Sequence, residues 1–419
     1  MDVARVRSGI ASIFALFALA ACAQTTSPSS TVFPKTSAAC SSTAIANQYV
    51  VRWKDGTTVV YKNHSRDEIL KDVVEPNLEK IDFAEQDQRI KVPKQPALVT
   101  TEATATGTDW GQQIIDAQAA WDQGYTGQGV VVAVIDSGVQ RDHTQLAAQM
   151  FVNAGETGTD SKGRDKSSNG VDDDDNGYID DVSGYDFAMN SGTVTDGTGH
   201  GTHVSGIIAA QHSAGTIKGV AEGVKILPLD FMDDSGSGNI SDAIRAMYYA
   251  AQMGAKVVNA SWGGAPCSQN LQKAITDLGA QGVLFVSAAG NSGVSLDEVP
   301  EYPAAYGLPT QITVAASTSR DYMSAYSNYS YTLANIAAPG DSIVSTYPTN
   351  TTKSLSGTSM ATPFVTAAAA ILKGARPKST PSDIKTALLN SVDSAPVEVS
   401  SRGRLNIGKA LAEILKLPQ

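Results

Sequence analysis

A chain of 419 residues with 42% hydrophobic content is long enough to bury a large core, with room for one big domain and smaller units. A formal charge of −11, with no cluster of Lys and Arg, excludes a non-specific nucleic-acid binder, because phosphate contacts need concentrated positive charge. Three cysteines, Cys22, Cys40 and Cys267, are too few for a disulfide-framed fold, although Cys40 and Cys267 could pair in an oxidising compartment.

The N-terminus carries Arg5 and Arg7, then an apolar run from Ile10 to Ala21. That run is too short to cross a bilayer and has the form of an export signal, so residues 1–21 are expected to be removed. Its end, Leu19-Ala20-Ala21-Cys22, resembles the lipobox of bacterial lipoproteins, which implies lipidation of Cys22. Ordinary cleavage around Ala18 to Ala23 is the alternative. The Ser-, Thr- and Pro-rich residues 22–43 read as a flexible tether. Either way the protein is exported, as an envelope lipoprotein or into the medium.

Residues 44–99 form a second unit. Tyr49 to Trp53 and Thr57 to Tyr61 are β-prone and flank Lys54-Asp55-Gly56, a hairpin turn. Ser65-Arg66-Asp67-Glu68 is a capping box that opens a helix carrying Ile69, Leu70, Val73 and Val74, and Ile81 to Val92 reads as a strand. So small a unit gains stability by docking on a larger partner. A Thr- and Ala-rich linker, residues 100–109, is where a processing site is expected.

Residues 110–419 hold the main domain. Gln112 to Trp121 reads as a short helix, followed by the unbroken β-branched run Val130 to Ile135, the pattern of a strand covered on both faces. Val224 to Leu229, Ala255 to Ala260, Val283 to Ala288 and Ile312 to Ala316 repeat it, with helices at Ile240 to Met253 and Asn270 to Gln281 between them. This alternation predicts a doubly wound α/β sheet with functional groups at the carboxyl ends of its strands.

Polar motifs stand at several of those ends. Asp136-Ser137-Gly138 ends the first strand and is either a plain turn or a placed carboxylate. Between it and the next motif, Asp172, Asp174, Asn176 and Asp180 alternate around Gly177, with Tyr178 among them, a spacing that lets oxygens converge on Ca²⁺; a solvated acidic turn is the rival. Ser183 in place of a twelfth-position Glu departs from an EF-hand. Gly199-His200-Gly201-Thr202-His203 places two of the five histidines on nearly one helix face, as a metal pair or as one exposed and one structural imidazole. Ser287 to Gly293 offers the Asn291 carboxamide or a simple turn. In Ser356 to Pro363 a serine opens an apolar helix, either as a cap or as a nucleophile favoured by the helix N-terminus. Hydroxyl, imidazole, carboxylate and carboxamide are the parts of an acyl-transfer site.

Taken together, Asp-Ser-Gly, His-Gly-Thr-His-Val and Gly-Thr-Ser-Met-Ala-Thr-Pro resemble the subtilase family of serine peptidases from about Trp110 to the C-terminus. The Asp, His, Ser order is subtilisin's own, so it is a match and not a derivation. The resemblance implies a subtilisin-like three-layer α/β fold with a mostly parallel sheet, and an Asp136, His200, Ser359 triad with Asn291 as oxyanion donor. It also implies that His203 is structural. Ser235-Gly236-Ser237-Gly238, Ser261-Trp262-Gly263-Gly264 and Gly290 become walls that receive an extended peptide. Phe364 stands where many relatives carry histidine.

By the same resemblance, residues 44–99 are a small α+β propeptide acting as an intramolecular inhibitor, and calcium is a structural cofactor. The implied function is an exported serine endopeptidase, a monomer acting on peptides or proteins, whose only membrane contact is a lipid anchor. A narrow-specificity processing protease and a catalytically silent binding protein are the alternatives. No histidine follows His212, so the order of an α/β-hydrolase esterase is excluded. No acidic cluster in the sequence marks a site for a basic residue at the cut.

Overall fold

The computed structural model describes residues 32–33, 43–91, 109–264 and 267–418. The export signal, Cys22, Cys40, most of the tether and all but the end of the linker lie outside the described residues. Among those described, no helix is long and apolar enough to cross a membrane.

The N-terminal unit comprises β1 (Ala44–Trp53), β2 (Thr58–Lys62) and β3 (Ile81–Lys91), antiparallel in the order β2, β1, β3. The Ser65 capping box forms, but after one α-turn the helix widens, Glu75 N–H reaching back to the Leu70 carbonyl, and ends in a tight turn at Glu75–Asn77. Pro76 lacks the N–H that a regular helix would need there. Phe33, Tyr49, Val51, Ile69, Val74, Ile81 and Ala84 make this unit's own small core.

The main sheet contains β4 (Val131–Asp136), β5 (Tyr185–Asp186), β6 (Lys225–Asp230), β8 (Val257–Ala260), β9 (Leu284–Ala288), β10 (Gln311–Ser317) and β11 (Ile336–Pro339), all parallel, with the short antiparallel pair β14 (Asp393–Ser394) and β15 (Gly403–Arg404) at one edge. Its order, β14-β15-β11-β10-β9-β8-β4-β6-β5, runs both ways from β4 and β8. β7 (Ser237–Asn239) instead pairs antiparallel with β3, joining the two units, and β12 (Ile343–Tyr347) with β13 (Thr351–Leu355) forms a separate hairpin.

Both faces of the sheet are covered, which is why its strands are continuously apolar. Val132 and Val134 point to a core shared with α1 (His200–Ala209) and α4 (Thr358–Ala375). Ala133 and Ile135, one residue out of phase, point to a second core under α2 (Ile240–Gln252) and α3 (Gln269–Ala280). α4 is rich in alanine, buried from Thr358 to Leu372, and packs on β8 to β11 and α1. Small side chains let it approach so many neighbours at once. The helix expected at Gln112 to Trp121 is broken into two short turns, because Asp116 adopts a positive φ of 56° between them.

Candidate active site

Asp136 is the last residue of β4 and is fully buried. Its Oδ1 accepts hydrogen bonds from Ser137 N–H at 2.8 Å and His200 Nδ1 at 2.7 Å. His200 is the first residue of α1, entered through Gly199 at φ 81°, where a side chain would collide with the Tyr347 ring. Asp196 closes this helix end, accepting from Gly199 N–H at 2.7 Å and Thr202 N–H at 2.8 Å. Burial opposes charge on His200, but the Asp136 carboxylate and its hydrogen bond, with Asp196 behind them, raise its pKa above the ordinary imidazole value.

The two histidines of the motif do not converge. His203 Nε2 meets the carbonyls of Ile343 and Lys353 at 3.1 and 3.0 Å, tying α1 to the β12–β13 hairpin, and burial lowers its pKa to about 3. His200 Nε2, in contrast, is buried without a hydrogen-bond partner.

Asn291 follows β9, and its orientation is fixed by its neighbour. Thr358 N–H and Oγ1–H both donate to Asn291 Oδ1 at 2.9 Å, so the oxygen must face them. The Nδ2 amide then points away, buried and without an acceptor, against Gly357. Ser359 is the second residue of α4, and its backbone N–H is among the first-turn amides that no intrahelical carbonyl can reach. Its hydroxyl donates to the Ser261 carbonyl at 2.9 Å, and Ser261 Oγ donates back to the Ser359 carbonyl at 2.9 Å.

The expected walls separate into parts. Ser237 and Gly238 pair with Ile90 and Lys91 of β3, and Lys91 also bridges to Gly263. Ser235 and Gly236 form the turn below, held by Asp233. Trp262 contributes backbone only: its ring is fully buried against Phe231, its indole N–H bonded to the Ile135 carbonyl at 2.8 Å. Gly264 and Gly290 adopt positive φ of 92° and 107°.

The acidic loop gathers a different set from the expected one. Asp172 accepts from Asn176 and Gly177 N–H, and Asp180 from Gly170 N–H. Tyr178 packs among Tyr185, Phe187 and Tyr249. Of the five expected residues only Asp174 joins a group of carboxylates, with Glu156 and Asp181, whose oxygens lie within 4.8 Å of one another. Glu156 is fully buried with Oε2 unpartnered, and burial raises the pKa of both Glu156 and Asp181. Three like charges facing one point, one of them sealed from water, suit a hard divalent cation. Glu156 escapes a local reading because it lies outside the alternating segment.

A mostly parallel α/β sheet, with a serine in the first turn of a buried helix, an Asp-bonded imidazole and an oriented carboxamide at its strand ends, defines a serine hydrolase of subtilisin-like architecture. The subtilase family model matches residues 127–406. Thermitase of Thermoactinomyces vulgaris is 37% identical over 305 residues, 72% of this chain and 95% of its own length. Subtilisin DY of Bacillus licheniformis is 34% identical over 280 residues, covering 67% and 89%. In structure, a cold-adapted subtilisin-like serine proteinase matches with a TM-score of 0.55 and 30% identity, over 71% of this chain and 96% of the other. The chain belongs to the subtilase family and is a subtilisin-like serine endopeptidase.

Proposed function

We propose that Ser359 is the nucleophile of an exported endopeptidase, with His200 as general base, Asp136 as its orienting acid and Asn291 as oxyanion donor. The observation that carries this reading is the unequal commitment of the His200 ring: Nδ1 is held by Asp136, while Nε2 is buried and unpartnered. An imidazole held so is ready to accept one proton. Catalysis begins when Ser359 Oγ turns from the Ser261 carbonyl to His200 Nε2 and attacks a peptide carbonyl. The Asn291 amide and the Ser359 N–H stabilise the oxyanion, and His200 passes the proton to the leaving amine. Water then hydrolyses the acyl-enzyme by the same route in reverse.

Residues 44–91 act as an inhibitor in cis. Their last strand occupies the cleft as a substrate would, between Ser237–Asn239 and Gly263. Glu156, Asp174 and Asp181 hold a structural Ca²⁺, which would neutralise their mutual repulsion. The N-terminal signal delivers the enzyme outside the cytoplasm, with Cys22 as its lipid anchor.

The test is Ser359→Ala in the full-length chain. Loss of both casein hydrolysis and self-processing between Pro93 and Asp109 is expected; residual cleavage by the purified variant would overturn the assignment.

A further inference from the structure

One carboxylate at the cleft has no role in the chemistry above. Glu301 lies in the segment that runs beneath the mouth between β8 and β9, whose ends pair as Ala260 with Ser287. On one side a Cβ added to Gly263 would touch the Tyr302 carbonyl at 3.5 Å. On the other, a Cβ on Gly290 would collide with Glu301 Oε2. Two glycine backbones thus flank a slot, and Glu301-Tyr302 closes its inner end. Gly290 is next to Asn291, and its N–H donates to Thr358 Oγ1 at 3.1 Å, beside Ser359. The slot therefore opens where the residue before the scissile bond would place its side chain.

The carboxylate is held but not neutralised. Ser292 Oγ–H donates to Glu301 Oε1 at 2.8 Å, while Oε2 has no hydrogen bond, and Glu301 forms no ion pair among the described residues. Asn328, the other side chain near Gly290, is already engaged with the Ala289 carbonyl and the N–H groups of Ser292 and Val294. A negative charge in a narrow, partly desolvated slot favours a cationic occupant over a neutral one of equal size.

Resting on the proposed Ser359 mechanism, we infer that Glu301 is a specificity-determining residue that directs cleavage after lysine and arginine. Glycine at 263 and 290 supplies the length such side chains need, and the free Oε2 supplies the counter-charge.

The test compares full-length enzyme with Glu301→Gln on peptides that differ only at the residue before the cut: Lys, Arg, Gln, Leu and Glu. Expected for the wild type is a kcat/KM at least tenfold higher for Lys or Arg than for Gln, collapsing by about 10- to 100-fold as a ratio in Glu301→Gln. Glu301→Lys should reverse the order in favour of Glu. Ser359-dependent cleavage without a basic preference, or with one that Glu301→Gln leaves unmoved, overturns the inference while leaving the mechanism intact. Cleavage that persists in Ser359→Ala strikes the mechanism itself.

Discussion

Two side chains at this site are aimed by a neighbour that holds their other end. Thr358 takes both lone-pair directions of Asn291 Oδ1 and leaves Nδ2 for the oxyanion; Asp136 takes His200 Nδ1 and leaves Nε2 for the serine proton. Such preorganisation means little has to move during reaction except the Ser359 hydroxyl. The His200–Asp136 pair also sets the pH response. The general base must be neutral, and its pKa is raised above 6.5, so activity is absent when the ring is protonated and appears as pH rises through that elevated value. The acid limb of kcat/KM against pH should therefore fall above 6.5. A limb centred well below it, measured with a substrate that does not titrate, would mean that a different group acts as base.

Element by element, contacts between distant segments decide what the motifs alone leave open. Glu85 of β3 receives Gln269 and Asn270 N–H at 3.1 and 3.2 Å and the Ser268 hydroxyl, closing the N-terminus of α3. Asp87 does the same for α2 through Ser241 N–H at 3.1 Å. Arg52 reaches Asp277 and Tyr248 on the same two helices. Burial outweighs these bonds and raises the Glu85 pKa to about 7, with Asp87 raised likewise. The sign follows from linkage: a carboxyl whose pKa is raised on docking favours docking while protonated, so docking is tightest below about 4.5 and weakens as pH climbs to about 7. For Glu85 this loss is on the order of 3 kcal/mol. In uncut Ser359→Ala protein, exchange protection factors at β3 and β7 should drop between pH 5 and pH 8, and Glu85→Gln should flatten the change. An equal drop in Glu85→Gln would assign the effect elsewhere. The strands and the four motifs were legible because apolar runs and their polar ends are local signals. Glu85, Asp196 and Glu301 were not, since each gains meaning from partners brought in by the fold. Trp262 shows the opposite error: its place in a Gly-rich wall is visible in sequence, its buried ring is not.

At the scale of the whole molecule, an acidic chain carries its most concentrated internal repulsion at Glu156, Asp174 and Asp181. This knot lies where the loop after β4 meets α2, since Tyr249 Oη–H donates to Asp181 Oδ2 and Asn153 Nδ2–H to both Asp174 and Asp181 at 3.0 Å. A cation held there joins the loop to the sheet, and only in the folded state, because Asn153, Glu156, Asp174 and Asp181 are separated in sequence. Binding that excludes the unfolded chain adds about 2.7 kcal/mol of stability when Ca²⁺ is at 100 times its Kd. Chelation should then lower the melting temperature of Ser359→Ala protein by several degrees, with autolysis removed from the measurement. Because Glu156 and Asp181 hold protons more tightly than ordinary carboxyls, protons compete with the metal, and the gain from Ca²⁺ should be larger at pH 8 than at pH 5. Glu156→Gln removes the sealed ligand, and its melting temperature should respond to neither Ca²⁺ nor EDTA. If that variant still gains stability with Ca²⁺ as the parent does, the ion binds elsewhere and the three carboxylates are held by their protons and hydrogen bonds alone.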